Sequence, residues 1–177
     1  SITYGSKTIS VFERAARFSG KKEVTVNGQV LSAPRFLVAT GTAPTVPNVP
    51  GLRDTPYLTS DLLTSHEDIE LTELPASLII IGGGYIALEL GQMFSRFGTH
   101  VTILARGARI LMAYELEIAQ SVAEVLHEEG IVIHTNTTVS RVQGDERQVV
   151  VTLQVDGRQK EVKAAKLLVA TGRTPNT

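Results

Sequence analysis

Leu78-Ile79-Ile80-Ile81-Gly82-Gly83-Gly84-Tyr85-Ile86-Ala87-Leu88-Glu89-Leu90 decides how the chain is read. Its first four residues form an apolar run after Pro75, bounded by glycines, as expected of a strand buried on both faces of a parallel sheet. Beyond the glycines, Ile86, Leu90, Met93, Phe94 and Phe97 recur at helical spacing. Gly98 is placed to end a helix running from about Tyr85 to Phe97. The turn between fits G-x-G-x-x-A: Gly82 permits a tight turn, Gly84 lets the backbone approach a ligand, and small Ala87 lets helix and strand touch. N–H groups at such a helix start are free to hold phosphates. Gly82, Gly83, Gly84, Tyr85, Ile86 and Ala87 are therefore a candidate pyrophosphate-binding turn.

The alternation continues outward. Val101 to Leu104 reads as the next strand, and a second helix spans about Glu115 to Glu129. That helix is expected to bury Ile118, Ala119, Val122, Val125 and Leu126 and to stop at Gly130. Ile131 to His134 gives a third strand, completing βαβαβ. Val139 to Val142, Val149 to Val155 and Glu161 to Ala164 read as an antiparallel meander turning near Gly144 and Gly157, before a buried strand at Lys166 to Ala170. The expected fold class is α/β, a Rossmann-like parallel sheet with a βαβαβ core and an antiparallel meander.

Upstream, short strands are expected at Ser10 to Val11, Val24 to Val26 and Val30 to Leu31, the last two joined by a hairpin turn at Asn27-Gly28. A buried strand is expected at Phe36 to Ala39. Pro44, Pro47, Pro50 and Gly51 then punctuate an irregular connector over Thr42 to Gly51. One internal similarity spans the chain: Leu37-Val38-Ala39-Thr40-Gly41 recurs as Leu168-Val169-Ala170-Thr171-Gly172, followed by Pro44 and Pro175 respectively. The two copies read as two crossings of one domain boundary, the alternative being coincidence between two strand ends.

Composition removes several function classes. Seventeen Lys and Arg against 18 Asp and Glu give a net charge of −1, so no overall field draws the chain to nucleic acid or an anionic membrane. The longest apolar run falls far short of the roughly 20 residues of a membrane helix. No basic segment followed by an apolar one opens the chain, and its start at Ser1 reads as a trimmed or processed boundary. The absence of cysteine excludes disulfides and thiol chemistry within these residues. His66, His100, His127 and His134 lack metal-ligand spacing, the Glu-rich second helix reads as a wet face, and no serine sits in a nucleophile elbow.

The choice of nucleotide turns on the end of the second parallel strand, where an acidic residue would bind the ribose 2′-OH of NADH. Ala105 stands there, followed by Arg106 and Arg109. A carboxylate at this place would repel a 2′-phosphate, whereas a guanidinium binds one in a bidentate manner, so NADPH is favoured. The alternative is that both arginines only solvate an exposed loop.

The stretch Ile79 to Leu90 resembles the pyridine nucleotide-disulfide oxidoreductases, and the doubled Ala-Thr-Gly strands fit that family's arrangement over essentially the whole chain. Within the family, Tyr57-Leu58-Thr59-Ser60, Leu104-Ala105-Arg106 and Ala170-Thr171-Gly172-Arg173-Thr174-Pro175-Asn176-Thr177 look most like its mercury(II)-reducing members. The resemblance implies FAD beside NADPH, with the FAD domain interrupted by the nucleotide domain. On that pattern residues 1–45 are a partial FAD-domain segment and connector, 46–169 the NAD(P)H-binding domain, and 170–177 the start of the return. It further implies that Arg106 meets the 2′-phosphate, that Glu89 and the aromatic lid Tyr85 lie at the nicotinamide end, and that Thr40, Gly41, Gly172 and Arg173 lie near FAD. Relatives using NADPH often carry a second basic residue where Met112 stands, leaving Arg109 as the substitute.

An N-terminal FAD turn, a redox cysteine pair, a later FAD-binding aspartate and a dimerisation domain are expected to lie outside these residues. The implied role is to dock NADPH for hydride transfer to FAD and onward reduction of Hg(II) to Hg(0) in a cytoplasmic enzyme, with no turnover by this portion alone. Two other readings stand beside it. One is the NAD(P)H domain of a glutathione reductase-like or dihydrolipoamide dehydrogenase-like enzyme, the latter disfavoured by Ala105; the other is a non-catalytic nucleotide-binding module.

Overall fold

Asn27 and Gly28 both take positive φ, 48° and 79°, the two left-handed central positions of a type I′ hairpin turn. In the computed structural model, which describes residues 9–63, 71, 73–155 and 158–177, this turn lies in the first of two units, 1–40 and 41–177. Ala16–Gly20 (β1), Glu23–Val26 (β2) and Gln29–Ser32 (β3) form its antiparallel sheet in the order β1-β2-β3. Phe36 meets Phe18 edge-on, with ring centroids 5.4 Å apart. Two expectations fail in this unit. Ser10 to Val11 is not a strand, and β1 supplies the third strand instead. Phe36 to Ala39 is neither paired nor buried, Leu37 being 93% exposed. A strand is buried only where neighbours cover it, and no described strand lies beside this one.

The strands of the second unit are Thr42–Pro44 (β4), Leu58–Thr59 (β5), Ser77–Ile81 (β6), His100–Leu104 (β7), Val132–His134 (β8), Thr138–Gly144 (β9), Val149–Val155 (β10), Arg158–Ala164 (β11), Lys166–Val169 (β12) and Arg173–Pro175 (β13). Its helices are Tyr85–Arg96 (α1) and Leu116–Glu128 (α2). The expected βαβαβ core is β6-α1-β7-α2-β8, inside a five-stranded parallel sheet of order β5-β12-β6-β7-β8. The meander β9-β10-β11 is present; its expected turn at Gly157 lies outside the described residues.

The unbroken apolar run at Leu78 to Ile81 now has its cause, because successive side chains of β6 enter two different cores. Leu78 and Ile80 pack with Leu88, Leu90 and Phe94 of α1 and Ala119 and Leu126 of α2. Ile79 and Ile81 pack with Val142, Val149, Val151 and Leu153 of the meander. The meander thus replaces helices on one face of the sheet. The helices themselves bury less than their periodicity suggested: Phe97, Ile118 and Val125 are all about half exposed or more. α2 lies at the margin of the sheet, where β8 is the last strand, so the narrower stripe of Ala119 and Leu126 suffices to seat it.

The proline-rich connector contains order that its composition concealed. Thr42, Ala43 and Pro44 of β4 face Pro175, Thr174 and Arg173 of β13. Thr45 N–H donates to the Gly172 carbonyl at 2.9 Å, and Asn176 N–H to that of Gly41 at 3.0 Å. The two Gly-x-x-Pro copies therefore exchange places about the Ala43–Thr174 pair in a local two-fold. Gly41 and Gly172, with φ of 75° and 135°, supply the left-handed backbone that starts each strand.

Candidate functional site

At the carboxyl end of β6 the chain must turn sharply, because the neighbouring strands already enclose it. Gly82 N–H donates to Leu104 O at 3.0 Å, and Ala170 N–H to Ile81 O at 2.9 Å. Gly82 has φ 141°, and a Cβ there would stand 2.2 Å from the Ala170 carbonyl oxygen. Gly83 is confined less severely, a Cβ there falling 2.9 Å from that of Ala105. Gly84 differs, since a Cβ there would meet nothing within 4 Å. It is the extended N-cap of α1, without a side-chain cap, and the first helical bond runs from Leu88 N–H to its carbonyl. The N–H groups of Tyr85, Ile86 and Ala87 thus have no partner within the helix. No acidic residue occupies the first turn. Donors without a partner in the helix, a positive helix end and an open approach at Gly84 are the parts of an anion cradle, and they fit a pyrophosphate. Ala87 is fully buried, so a larger residue there would push α1 off the sheet.

Beyond β7 the loop folds back over this turn. Ala105 N–H donates to His134 O at 2.8 Å, and its methyl is buried against Gly83 at 1% exposure. Its part is therefore steric, holding Gly83 close. Arg106 next to it is exposed and, among the described residues, engages no hydrogen bond or ion pair. Arg109 is placed otherwise, its guanidinium bonding the carbonyls of Leu111, Tyr114 and Met112 at 2.8, 2.8 and 3.4 Å. Leu111 carries φ 50° and donates its N–H to Gly83 O at 2.8 Å. Leucine gives no sequence signal for a left-handed backbone, so this brace was invisible in advance.

Tyr85 and Glu89 lie one turn apart on an exposed face of α1. Thr40 is exposed in the first unit. Gly41, Gly172 and Arg173 are brought together in the β4–β13 ribbon. There the Arg173 guanidinium bonds the hydroxyl and carbonyl of Thr42, both at 2.7 Å, and Ser60 Oγ and Asp61 Oδ1, both at 2.8 Å. Ser60 closes the Tyr57 to Ser60 stretch already noted for its resemblance, whereas Asp61 carries no sequence pattern that would have singled it out.

A cleft of about 530 Å³ opens elsewhere, at the amino ends of β5 and β12, lined by Arg53, Asp54, Tyr57, Glu146 and Lys166 among others. Lys166 is already paired with Glu146 at 2.8 Å, and the Thr55 hydroxyl with Gly51 O. The chemistry of the glycine turn lies at the opposite strand ends. Among the described residues no group of His, Cys, Asp and Glu is placed to hold a metal ion; His66 lies outside them. No helix among them is long and apolar enough to cross a membrane.

Burial, and then the nearby Lys160 ammonium, hold the His134 imidazole below its usual range. The unfolded chain takes up this proton where the folded chain does not, so stability is full above about pH 6.5 and falls as pH drops toward the folded value. His134→Gln should accordingly reduce the loss of melting temperature between about pH 7.5 and 5.5. Equal losses in the two proteins would remove His134 as the cause.

Known proteins resemble this chain over most of its length. A mercuric reductase from Staphylococcus aureus is 41% identical over 162 residues, which are 92% of this chain and 29% of that protein. One from Lysinibacillus sphaericus is 43% identical over 164 residues, again 92% and 29%. The Cu(II) complex of the HOCl-induced flavoprotein disulfide reductase RclA from Escherichia coli superimposes with a TM-score of 0.75 at 33% identity, over 97% of this chain and 38% of that one. The chain thus spans less than a third of the length of these mercuric reductases. The family model for pyridine nucleotide-disulphide oxidoreductases matches residues 1–177, and the chain belongs to that family.

Proposed function

We propose that this chain is the NADPH-docking portion of a flavin-dependent mercuric reductase. The observation that carries the reading is the uncapped start of α1 behind Gly82 and Gly84, with Ala105 packed on Gly83 and the exposed Arg106 next in the chain. Tyr85, Ile86 and Ala87 would hold the pyrophosphate through backbone N–H groups, and Arg106 the 2′-phosphate. Tyr85 and Glu89 would border the nicotinamide. NADPH, when bound, supplies the two electrons that a flavin passes on to reduce Hg(II) to elemental mercury in the complete, cytoplasmic enzyme. This chain's residues orient the donor, and the reducing chemistry lies elsewhere. Residues 1–45 and 170–177 would belong to the FAD domain, with Thr40, Gly41, Gly172 and Arg173 near the flavin, and 46–169 to the nucleotide domain. The similarity to mercuric reductases over 92% of the chain supports the choice of substrate.

Titration with NADPH and NADH at several salt concentrations tests the reading. NADPH should bind more tightly, with an advantage that shrinks as salt rises. Arg106→Ala should weaken NADPH by roughly 10- to 100-fold, the worth of a charge-assisted contact, and leave NADH unchanged. Equal affinity of the native chain for both nucleotides would sink the 2′-phosphate assignment. FAD retained by the purified chain would overturn the division of labour.

A further inference from the structure

Arg109 follows Arg106 by three residues and invites the same role, yet both of its terminal nitrogens are already engaged with backbone carbonyls. Nη1 bonds Leu111 O, and Nη2 bonds Tyr114 O and, at longer range, Met112 O. Those carbonyls belong to the loop that closes over the glycine turn. Within that loop Leu111 is held at φ 50°, a conformation a bulky residue rarely takes, with its side chain buried at 8% exposure. The strained backbone aims Leu111 N–H at Gly83 O, 2.8 Å away. A second tie, Asn136 N–H to Gly107 O at 2.8 Å, fixes the other end of the loop next to Arg106.

From this geometry we infer that Arg109 is a positioning residue for the nucleotide turn and not a phosphate ligand: it clamps the carbonyls of Leu111, Met112 and Tyr114, sustains the strained Leu111, and so holds Gly83 in register. The inference rests on the docking role proposed above. A guanidinium suits the task because its planar fork reaches acceptors on two sides at once, whereas an ammonium offers charge without that fork. Loss of the clamp frees Leu111 to relax to negative φ and withdraws its N–H from Gly83. The disturbance then reaches the pyrophosphate cradle, which NADPH and NADH share.

Calorimetric titration of NADPH and NADH into the native chain, Arg109→Ala and Arg109→Lys tests this. Both variants should bind both nucleotides about tenfold more weakly, with the NADPH-to-NADH ratio unchanged. A loss confined to NADPH and restored by Arg109→Lys would make Arg109 a phosphate contact and overturn the inference. So would an unchanged Kd with reduced stoichiometry, which marks a role in stability alone. The native chain gives a second measurement that needs no variant. The Arg109 Nε–H resonance should respond alike to NADPH and NADH, and a shift produced by NADPH only would overturn the clamp. Failure of the native chain to bind either nucleotide would overturn the docking role itself, and the inference with it. Tight, NADPH-selective binding retains that role whatever Arg109 does.

Discussion

Gly82→Ala is expected to lower the melting temperature by roughly 10 °C and to abolish nucleotide binding at the concentrations that saturate the native chain. The methyl would stand 2.2 Å from the Ala170 carbonyl oxygen and 2.8 Å from its carbon. Neither atom can give, because Ala170 N–H is tied to Ile81 O and β12 lies within the parallel sheet. The backbone at φ 141° is in addition close to a region open essentially to glycine alone, at a cost of about 1–3 kcal/mol for any other residue. Clash and backbone strain together reach about 4 kcal/mol, a large share of the stability of an ordinary domain. Relief requires β6 and β12 to part at their carboxyl ends, which are the ends that carry the cradle. Thermal unfolding checks the first half and NADPH titration the second. A variant melting within about 2 °C of the native chain would show the Gly82–Ala170 approach to be softer than its geometry implies.

Much of this site was legible in the sequence because its logic is local. A strand, a glycine turn and a helix leave periodic signatures, and β6, α1, β7, α2 and the meander all lie within a few residues of where patterning puts them. What the sequence could not carry is the identity of the neighbour on the far side of each residue. Gly82 is required by Ala170, 88 positions later, and Gly83 by Ala105. The same letters behave oppositely where their neighbours differ: Leu168 and Val169 are buried between β5 and β6, while Leu37 and Val38 lie exposed. Apolar periodicity also overstated burial on α2, since Ile118 and Val125 sit at helical spacing but are about half exposed. Arg109 shows the other limit. Its charge and its place beside Arg106 suggested an anion, and nothing in the sequence shows the three carbonyls within its reach.

Gly84→Asp should separate stability from binding, raising the first while removing the second. Gly84 is the N-cap of α1 at φ −87° and ψ 173°, the extended geometry from which a short carboxylate accepts a bond from the N–H of the second or third helical residue. The added Cβ meets no atom within 4 Å, so nothing in the folded chain opposes it. A capped helix start and a negative charge at the positive end of the dipole together stabilise by about 1 kcal/mol, or roughly 2–4 °C in a chain of this size. The same carboxylate would occupy an N–H that the pyrophosphate needs, and its charge would face the phosphates. Affinity for NADPH and NADH should both fall by at least about 100-fold. Gly84→Ser would take the donor without the charge and should give the same pattern to a smaller degree. Unchanged affinity in the aspartate variant would place the nucleotide away from α1. Raised stability with lost binding would explain why the helix starts on a bare glycine with no acidic residue in its first turn: those unsatisfied N–H groups are kept open for a ligand, at the expense of a cap that the fold would otherwise gain.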